Sequence, residues 1–275
     1  MYRDIVTFID GAPHTEGVGD CVLQLAATFA AHLTIIGLPR DPGHAMHLAN
    51  APAKALKEAL HKAQGAAESA SRILEERALA AGIPCLHQTF DMPAPDFPQL
   101  VTRVSRRFDL SVMPLPSFES FTEDEALFEA ALLNSGRPVL GVPRRASACE
   151  KFARVMVAWD GGREAARAVG DAMPLLERAD LVEIVTIGVD KNPADEELPG
   201  CHIAGHLARH GVNCEFRRLD GRDKPAKLLL GRAGELGADL LVMGAYRHSR
   251  WRQAVLGGAT RDIMQDSKIA VLMSR

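Results

Sequence analysis

Hydrophobic residues in the second half of the chain fall in short unbroken runs, and amphipathic segments separate these runs. The runs occupy residues 153–159, 181–188, 212–219, 239–243 and 269–273. Between them lie segments such as Arg163 to Arg178 and Lys224 to Leu236, which have the amphipathic pattern of helices. Strands that are apolar on both faces and alternate with helices are typical of a parallel sheet covered on both sides. The pattern predicts an α/β fold of the doubly wound type.

The first half of the chain repeats the second half in the same order. Its first strand, Ile5-Val-Thr-Phe-Ile-Asp-Gly, recurs as Val155-Met-Val-Ala-Trp-Asp-Gly. Further along, Phe108-Asp-Leu-Ser-Val-Met matches Ala238-Asp-Leu-Leu-Val-Met. Near the ends, Ser135-Gly-Arg-Pro-Val-Leu matches Ser267-Lys-Ile-Ala-Val-Leu. Matches that keep their order across both halves indicate a tandem duplication.

The duplication predicts two tandem doubly wound domains, each a five-stranded parallel sheet with helices on both faces. We place the first domain at residues 1–144 and the second at residues 152–275. The first half holds about 20 more residues than the second, mostly in one long helix. Gly82 and Gly211 lie where helices are expected to stop. The linker near Pro143 to Lys151 is short and charged, so we expect the domains to pack together.

Composition excludes several classes of protein. Hydrophobic residues make up 47% of the 275 residues and charged residues 24%, which is typical of a globular protein. The net charge of −3 gives no general attraction to nucleic acid or to an anionic membrane. Gln24, Thr28 and His32 interrupt the apolar stretch from Cys21 to Leu38. We therefore predict a helix followed by a strand there, rather than a membrane span.

The cysteines and the start of the chain favour a cytoplasmic protein. Asp4 stands where an export signal would need an apolar core. The five cysteines are odd in number and form no Cys-x-x-Cys pair. This argues against a disulfide framework or a zinc ribbon and favours a reducing compartment.

These features resemble the universal stress protein family in its tandem two-domain form. The resemblance rests on the strand from Val155 to Gly161, the strand from Gly237 to Gly244, the glycine pair at 257–258 and the closing strand. It covers the whole chain and is stronger from about residue 152 onward. It implies an adenine nucleotide alpha hydrolase-like fold, with domains paired through their last strands. Many members of the family bind ATP in the loop after the fourth strand.

The family's ATP-binding loop has a glycine, two residues, a second glycine, nine residues, and a third glycine followed by serine or threonine. On this sequence the first glycine is Gly244, whereas Arg247 stands at the second glycine position and Gly258 at the hydroxyl position. Asp160 falls where the family contacts the nucleoside. The resemblance thus implies an ATP site at Asp160, Gly244, Arg247, His248, Gly257 and Gly258.

The altered loop leaves two interpretations open. Glycines let backbone N–H groups converge on phosphate oxygens, and Arg247 removes that freedom at its position. The loop is nevertheless basic, since His248, Arg250 and Arg252 follow, and a guanidinium is a good phosphate partner. The alternative is a solvated basic loop or a surface for the partner domain, with Trp251 covering the core or the domain interface.

The first half lacks the features of a phosphate site. After its fourth strand, the segment from Pro114 to Glu125 has no glycine, two prolines that lack N–H donors, and four carboxylates that would repel phosphate. Asp10 corresponds to Asp160 but has no phosphate site beside it. We expect no ATP in this half and interpret it as structural or regulatory.

Three histidines give another pattern that is typical of a binding site. His202, His206 and His210 are spaced four residues apart on a predicted helix, and an adjacent pair at this spacing can chelate zinc. The first and third are about 12 Å apart along a helix, so the three do not share one ion. We interpret them as a polar helix face, and we expect no metal.

The sequence favours a non-enzymatic stress-response protein that regulates through partner or ligand binding. It contains no GxSxG elbow, no Walker loop and no GxGxxG fingerprint. The alternative is an ATP-binding protein, with slow hydrolysis, at the second domain's loop. The expected partners are an adenine nucleotide and an unidentified protein, not nucleic acid or a membrane. We expect the two domains to pair within the chain, which leaves a monomer and a homodimer both open, and we prefer the homodimer.

Overall fold

The computed structural model describes residues 1–12, 16–39, 53–90, 96–116, 123–144, 151–188, 199–221, 223–245 and 258–275. The chain divides into two compact units, Tyr2–Ala148 and Cys149–Arg275. These units are called the first and the second domain below.

The first domain alternates strands and helices. Its elements are β1 (Asp4–Ile9), α1 (Glu16–Phe29), β2 (His32–Gly37), α2 (Ala53–Ala80), β3 (Cys85–Thr89), α3 (Phe97–Ser105), β4 (Leu110–Pro114), α4 (Glu123–Asn134) and β5 (Val139–Val142). The strands pair in parallel in the order β3-β2-β1-β4-β5. The predicted long helix is confirmed, because α2 has 28 residues.

The second domain has the same strand order. Its elements are β6 (Arg154–Ala158), α5 (Arg163–Leu176), β7 (Leu181–Gly188), α6 (Pro199–Arg209), β8 (Cys214–Asp220), α7 (Pro225–Leu236), β9 (Leu240–Gly244), α8 (Gly258–Asp266) and β10 (Ala270–Ser274). The strands pair in parallel in the order β8-β7-β6-β9-β10. The predicted doubly wound α/β fold is confirmed in both domains.

Helices cover both faces of each sheet. Crossovers between parallel strands strongly prefer to be right-handed, so crossovers that lead to opposite ends of a sheet place their helices on opposite faces. In the first domain α1 and α2 lie side by side, and Arg77 contacts Asp20 across them at 2.5 Å. On the other face α3 meets α4, where the Thr102 hydroxyl donates to the carbonyl of Ala130. The central strands are consequently buried, with Ile5 at 0% exposure. Among the described helices, none combines the length and apolar character needed to cross a membrane.

Glycines end two of the helices, as the sequence predicts. Gly82 follows α2 and Gly211 follows α6, with φ of +71° and +78°. After α6 the N–H of Gly211 donates to Ala208 and the N–H of Val212 to Leu207, which is the bonding that closes a helix on a left-handed glycine. Because Val212 belongs to this closure, β8 begins at Cys214 rather than at the predicted residue 212.

A repeated aspartate ties the first strand of each domain to its fourth strand, and we call this contact the aspartate clamp. Asp109, just before β4, accepts the backbone N–H of Arg3 at 2.7 Å. Asp239, just before β9, accepts those of Ala153 at 2.8 Å and Arg154 at 3.1 Å. The Asp-Leu pair that recurs in the two halves therefore serves the fold.

Replacing Asp239 with alanine is expected to lower the free energy of unfolding by about 1–2 kcal/mol, because two backbone donors lose their acceptor. Denaturant unfolding of the whole chain would measure the change. Asp180→Ala is the matched control, since the Asp180 side chain is 66% exposed and pairs with the exposed Lys151. Equal losses in both variants would contradict the clamp.

Candidate functional site

The carboxyl edge of each sheet contains a topological switch point. In the first domain it lies between β1 and β4, and in the second between β6 and β9, where the connections that follow the two parallel strands lead in opposite directions along the sheet. Open α/β sheets bind their ligands in the crevice at this point. Asp10 follows β1 and Asp160 follows β6, so both predicted aspartates reach such an edge.

Each of these aspartates forms a turn with the residues that follow it. Oδ1 of Asp160 accepts the N–H of Gly162 at 2.8 Å, and Gly161 between them has φ of +71°. Asp10 accepts the N–H of Ala12 in the same way, at 2.8 Å. An aspartate that bonds two residues ahead, with a left-handed glycine between, is a local turn motif. This turn accounts for the repeated Asp-Gly pair. Contact between Asp160 and a nucleoside stays a prediction.

Glu164, in the first turn of α5, is a carboxylate that the sequence analysis did not single out. It is 5% exposed, and Oε1 accepts a hydrogen bond from Nε of Arg163 at 2.6 Å. Burial alone would raise the pKa of Glu164, but the bond from Arg163 and a backbone N–H outweigh it and lower the pKa, against a smaller opposing effect of Asp160. Glu164 is therefore an ionised carboxylate beside Asp160.

Gly244 lies where the end of β9 meets the first turn of α5. A Cβ atom on Gly244 would stand 2.5 Å from the backbone nitrogen of Ala165 and 2.6 Å from the carbonyl carbon of Glu164. The close approach that makes glycine necessary here is to the protein's own backbone. Gly244 and Glu164 are thus brought together at the edge that Asp160 also reaches.

The remaining predicted loop positions are only partly described. Arg247, His248 and Gly257 lie outside the described residues, as does Trp251. Gly258 is the first residue of α8 and is exposed, and no atom of the described residues lies within 4 Å of where its Cβ would be. No acidic residue occupies the first turn of α8. An exposed first residue and a first turn without acidic residues suit an anionic group such as a phosphate.

The corresponding edge of the first domain is a cleft whose described lining includes carboxylates. The cleft opens to solvent and is lined by residues of β1, β4, the start of α4 and the segment after β2. Asp10 lines it together with Glu123 and Asp124 from the first turn of α4. The sequence analysis missed this cleft, although the repeated strand order was a signal for a second crevice.

The predicted histidines at 202, 206 and 210 lie on α6 or directly after it. The rings of His206 and His210 lie 4.7 Å apart between centroids, as expected for neighbours one helical turn apart. Among the described residues, no three or more histidine, cysteine or acidic side chains converge in a way that could hold a metal ion.

The switch points and strand order place both domains in the class of doubly wound α/β domains, whose ligand sites lie at the carboxyl edge of the sheet. Residues 151–275 match the sequence model of the universal stress protein family. The matched segment is the described second domain, and the first domain has the same strand order. The second domain, rather than the whole chain, is thus the part that is similar in sequence to the universal stress protein family.

Two solved structures are similar over nearly the whole chain. One is a universal stress protein from Archaeoglobus fulgidus DSM 4304, with a TM-score of 0.74 and 16% identity over 99% of this chain and 96% of that one. The other is a functionally unknown protein from Pseudomonas aeruginosa PAO1, with a TM-score of 0.62 and 15% identity over 99% and 92%. At these identities the likeness concerns the fold. No curated protein matches the chain significantly in sequence.

Proposed function

We propose that this chain is a non-enzymatic regulatory protein that binds a ligand or a partner at the carboxyl edge of its second domain. The observation that carries the proposal is the state of the carboxylates at that edge. Glu164 is ionised and paired with Arg163, and Asp160 closes its own turn. A general acid or base needs a pKa near the working pH, and the lowered pKa of Glu164 is the reverse of that.

A second candidate function is adenine-nucleotide binding at the same edge, with ATP as the ligand and slow hydrolysis. It is favoured by the start of α8, where Gly258 is exposed and the first turn has no acidic residue. Asp160 and Gly244 lie at the same edge, and Arg247, His248 and Gly257 belong to the connecting segment. ATP would place its phosphates at the start of α8 and its nucleoside toward Asp160.

Denaturing extraction of the purified protein, followed by mass spectrometry, tests the second candidate. Adenine nucleotide at close to one per chain would support it. Calorimetric titration with ATP and Mg²⁺ would then measure the affinity of the stripped protein, and the same titration of variants would locate the site. Gly258→Asp should weaken binding by about tenfold or more, because it puts a carboxylate at the start of α8. Gly234→Asp is the matched control, since Gly234 is exposed on α7 with open space around it.

Arg247 distinguishes a functional loop from a blocked one. If its guanidinium contacts phosphate, Arg247→Ala should weaken ATP binding by roughly 1.5–3 kcal/mol. If it blocks the loop instead, Arg247→Gly with Gly258→Ser should create or strengthen binding. Unchanged affinity in both variants would remove the loop from the site.

Phosphate release from ATP in the presence of Mg²⁺ tests whether the protein is an enzyme. We expect a rate far below the roughly 1 s⁻¹ at which ordinary enzymes begin. No bound nucleotide and no heat at millimolar ATP would contradict the second candidate and leave partner binding.

We also propose a cytoplasmic location and a homodimer, and light scattering at several protein concentrations would measure the oligomeric state.

A further inference from the structure

The outermost strand of the first domain's sheet is β3. It pairs in parallel with β2, from Leu33 opposite Cys85 to Gly37 opposite Thr89. Within the part of the chain that the structure describes, no other strand pairs with its free side. Backbone N–H and C=O groups along such an edge can pair with a further strand. The free side of β3 is therefore a surface on which backbone hydrogen bonds can form.

The outermost strand of the second domain is protected by charge, and β3 is not. β8 exposes four charged side chains along seven residues, namely Glu215, Arg217, Arg218 and Asp220. Charged side chains on an edge strand oppose pairing with another chain. β3, with the sequence Cys-Leu-His-Gln-Thr, has no acidic residue, lysine or arginine, and its Leu86 is 46% exposed. The two halves of the duplication thus differ in what their outer strands can bind.

One flank of α2 borders the free side of β3, and we call this flank together with β3 the β3 edge. Glu75 of α2 lies on it and contacts Nδ1 of His87 at 2.5 Å. Arg72 and Leu79 share the flank, because they lie three residues before and four residues after Glu75 on the helix. Leu79 is 59% exposed, and Leu86 points to the other face of the sheet because it alternates with His87. An exposed leucine consequently lies on each face of the β3 edge.

The charges of the β3 edge complement those of a second copy of the same edge. Arg72, whose side chain is 62% exposed, stands midway along α2 between Glu68, which it contacts at 3.2 Å, and Glu75. A twofold axis beside His87, the middle residue of β3, makes the two β3 strands antiparallel and likewise the two α2 helices. Arg72 of each copy then faces the interval between Glu68 and Glu75 of the other. A twofold interface needs a surface that complements itself, and the β3 edge meets this requirement.

We propose that the β3 edge pairs with the β3 edge of a second copy of this chain, so that two first domains share one continuous sheet. Backbone hydrogen bonds join the two strands, and Leu86 of each copy reaches Leu86 of the other diagonally across them. The inference rests on the homodimer proposed above and specifies its surface. It is independent of whether the second-domain edge binds nucleotide.

Sedimentation velocity of the full chain at several concentrations measures the dissociation constant of the dimer. We expect Leu86→Lys and Leu79→Lys each to raise this constant by about tenfold or more, because each puts a cation where apolar surface would be buried, twice in every dimer. Ile73→Lys is the matched control. Ile73 is 57% exposed on α2 but lies two residues from Glu75, so it faces away from the β3 edge. Its replacement should leave the dissociation constant unchanged.

Hydrogen exchange provides a second measurement that needs no substitution. Amides of β3 should exchange more slowly at concentrations above the dissociation constant than below it, and amides of β8 should not change. A chain that stays monomeric at every concentration would overturn both this inference and the homodimer. A dimer whose dissociation constant is the same in Leu86→Lys, Leu79→Lys and the unaltered chain would overturn the pairing of β3 and leave the homodimer with another surface. Exchange of the β3 amides at one rate at all concentrations of such a dimer would do the same.

Discussion

Replacing Glu183 with glutamine is expected to lower the free energy of unfolding by about 3 kcal/mol, because it leaves the partly buried guanidinium of Arg232 without its buried counter-charge. Glu183 lies on β7 with its side chain 2% exposed. Arg232 of α7 donates to both of its oxygens, at 2.6 and 2.7 Å, and Arg217 of β8 donates at 3.0 Å. The Arg232 side chain is itself only 15% exposed.

The control for this variant uses the same arginine. Glu235 accepts from Arg232 at 3.0 Å but is 72% exposed, so Glu235→Gln should cost about 0.5 kcal/mol or less. Denaturant unfolding of both variants beside the unaltered chain gives the comparison. Similar losses for the two would mean that burial of Glu183 does not set the size of the effect.

The Glu183 contribution should also depend on pH. The hydrogen bonds from Arg232 hold the pKa of Glu183 below its ordinary value of 4.5, against the effect of burial, and Arg217 adds to the lowering. The folded protein then binds this proton more weakly than the unfolded chain does. The stabilisation is therefore present above about pH 4.5 and is lost as the pH falls through the lowered pKa. The difference between the protein and Glu183→Gln should shrink over that range.

Replacing Gly244 with alanine is expected to lower the free energy of unfolding by about 2–3 kcal/mol, even without any ligand. The new Cβ would stand 2.5 Å from the nitrogen of Ala165 and 2.6 Å from the carbonyl carbon of Glu164. Both are backbone atoms, so β9 or α5 has to shift. Thermal and denaturant unfolding of the apo protein would measure the loss.

Gly234→Ala is the control for Gly244→Ala, and we expect this glycine-to-alanine change to have the opposite effect on stability. Gly234 is exposed inside α7, and a Cβ there would meet nothing within 4 Å. Alanine should raise stability by about 0.5–1 kcal/mol, because glycine is the poorer helix former. If Gly244→Ala proved as harmless as Gly234→Ala, the packing explanation for Gly244 would be wrong. A loss of nucleotide binding in Gly244→Ala would by itself say little about phosphate contact.

The strands and helices of the second domain lie close to where the sequence predicts them, because apolar runs and helical spacing reflect which residues are buried. The predicted strand at 181–188 coincides with β7. The predicted helix from Arg163 to Arg178 stops earlier, at Leu176, because the N–H of Arg178 bonds only three residues back, to Leu175. Such tightened last turns depend on local geometry that periodicity does not encode.

The candidate site was harder to predict from the sequence than the fold. The same residue can be needed for ligand binding or for packing and turn formation, and the sequence does not distinguish these roles. A glycine at 244 suits the approach of a phosphate and also the approach of α5, and only the distance to Ala165 separates the two. Asp160 likewise has an oxygen in its own turn, which a motif does not reveal. The acidic cleft depends on residues from separate segments, such as Asp10 and Glu123, and their proximity arises only on folding.

The aspartate clamps also bear on where this protein can be divided. Asp109 and its partner Arg3 lie on one side of residues 145–150, and Asp239 and its partner Ala153 lie on the other. A protease that cleaved within that interval would leave every clamp bond inside a single fragment. A cut a few residues later, beyond residue 154, would separate Asp239 from the N–H groups it holds. Limited digestion, or expression of each domain alone, should therefore divide the chain within residues 145–150 so that both clamps stay intact.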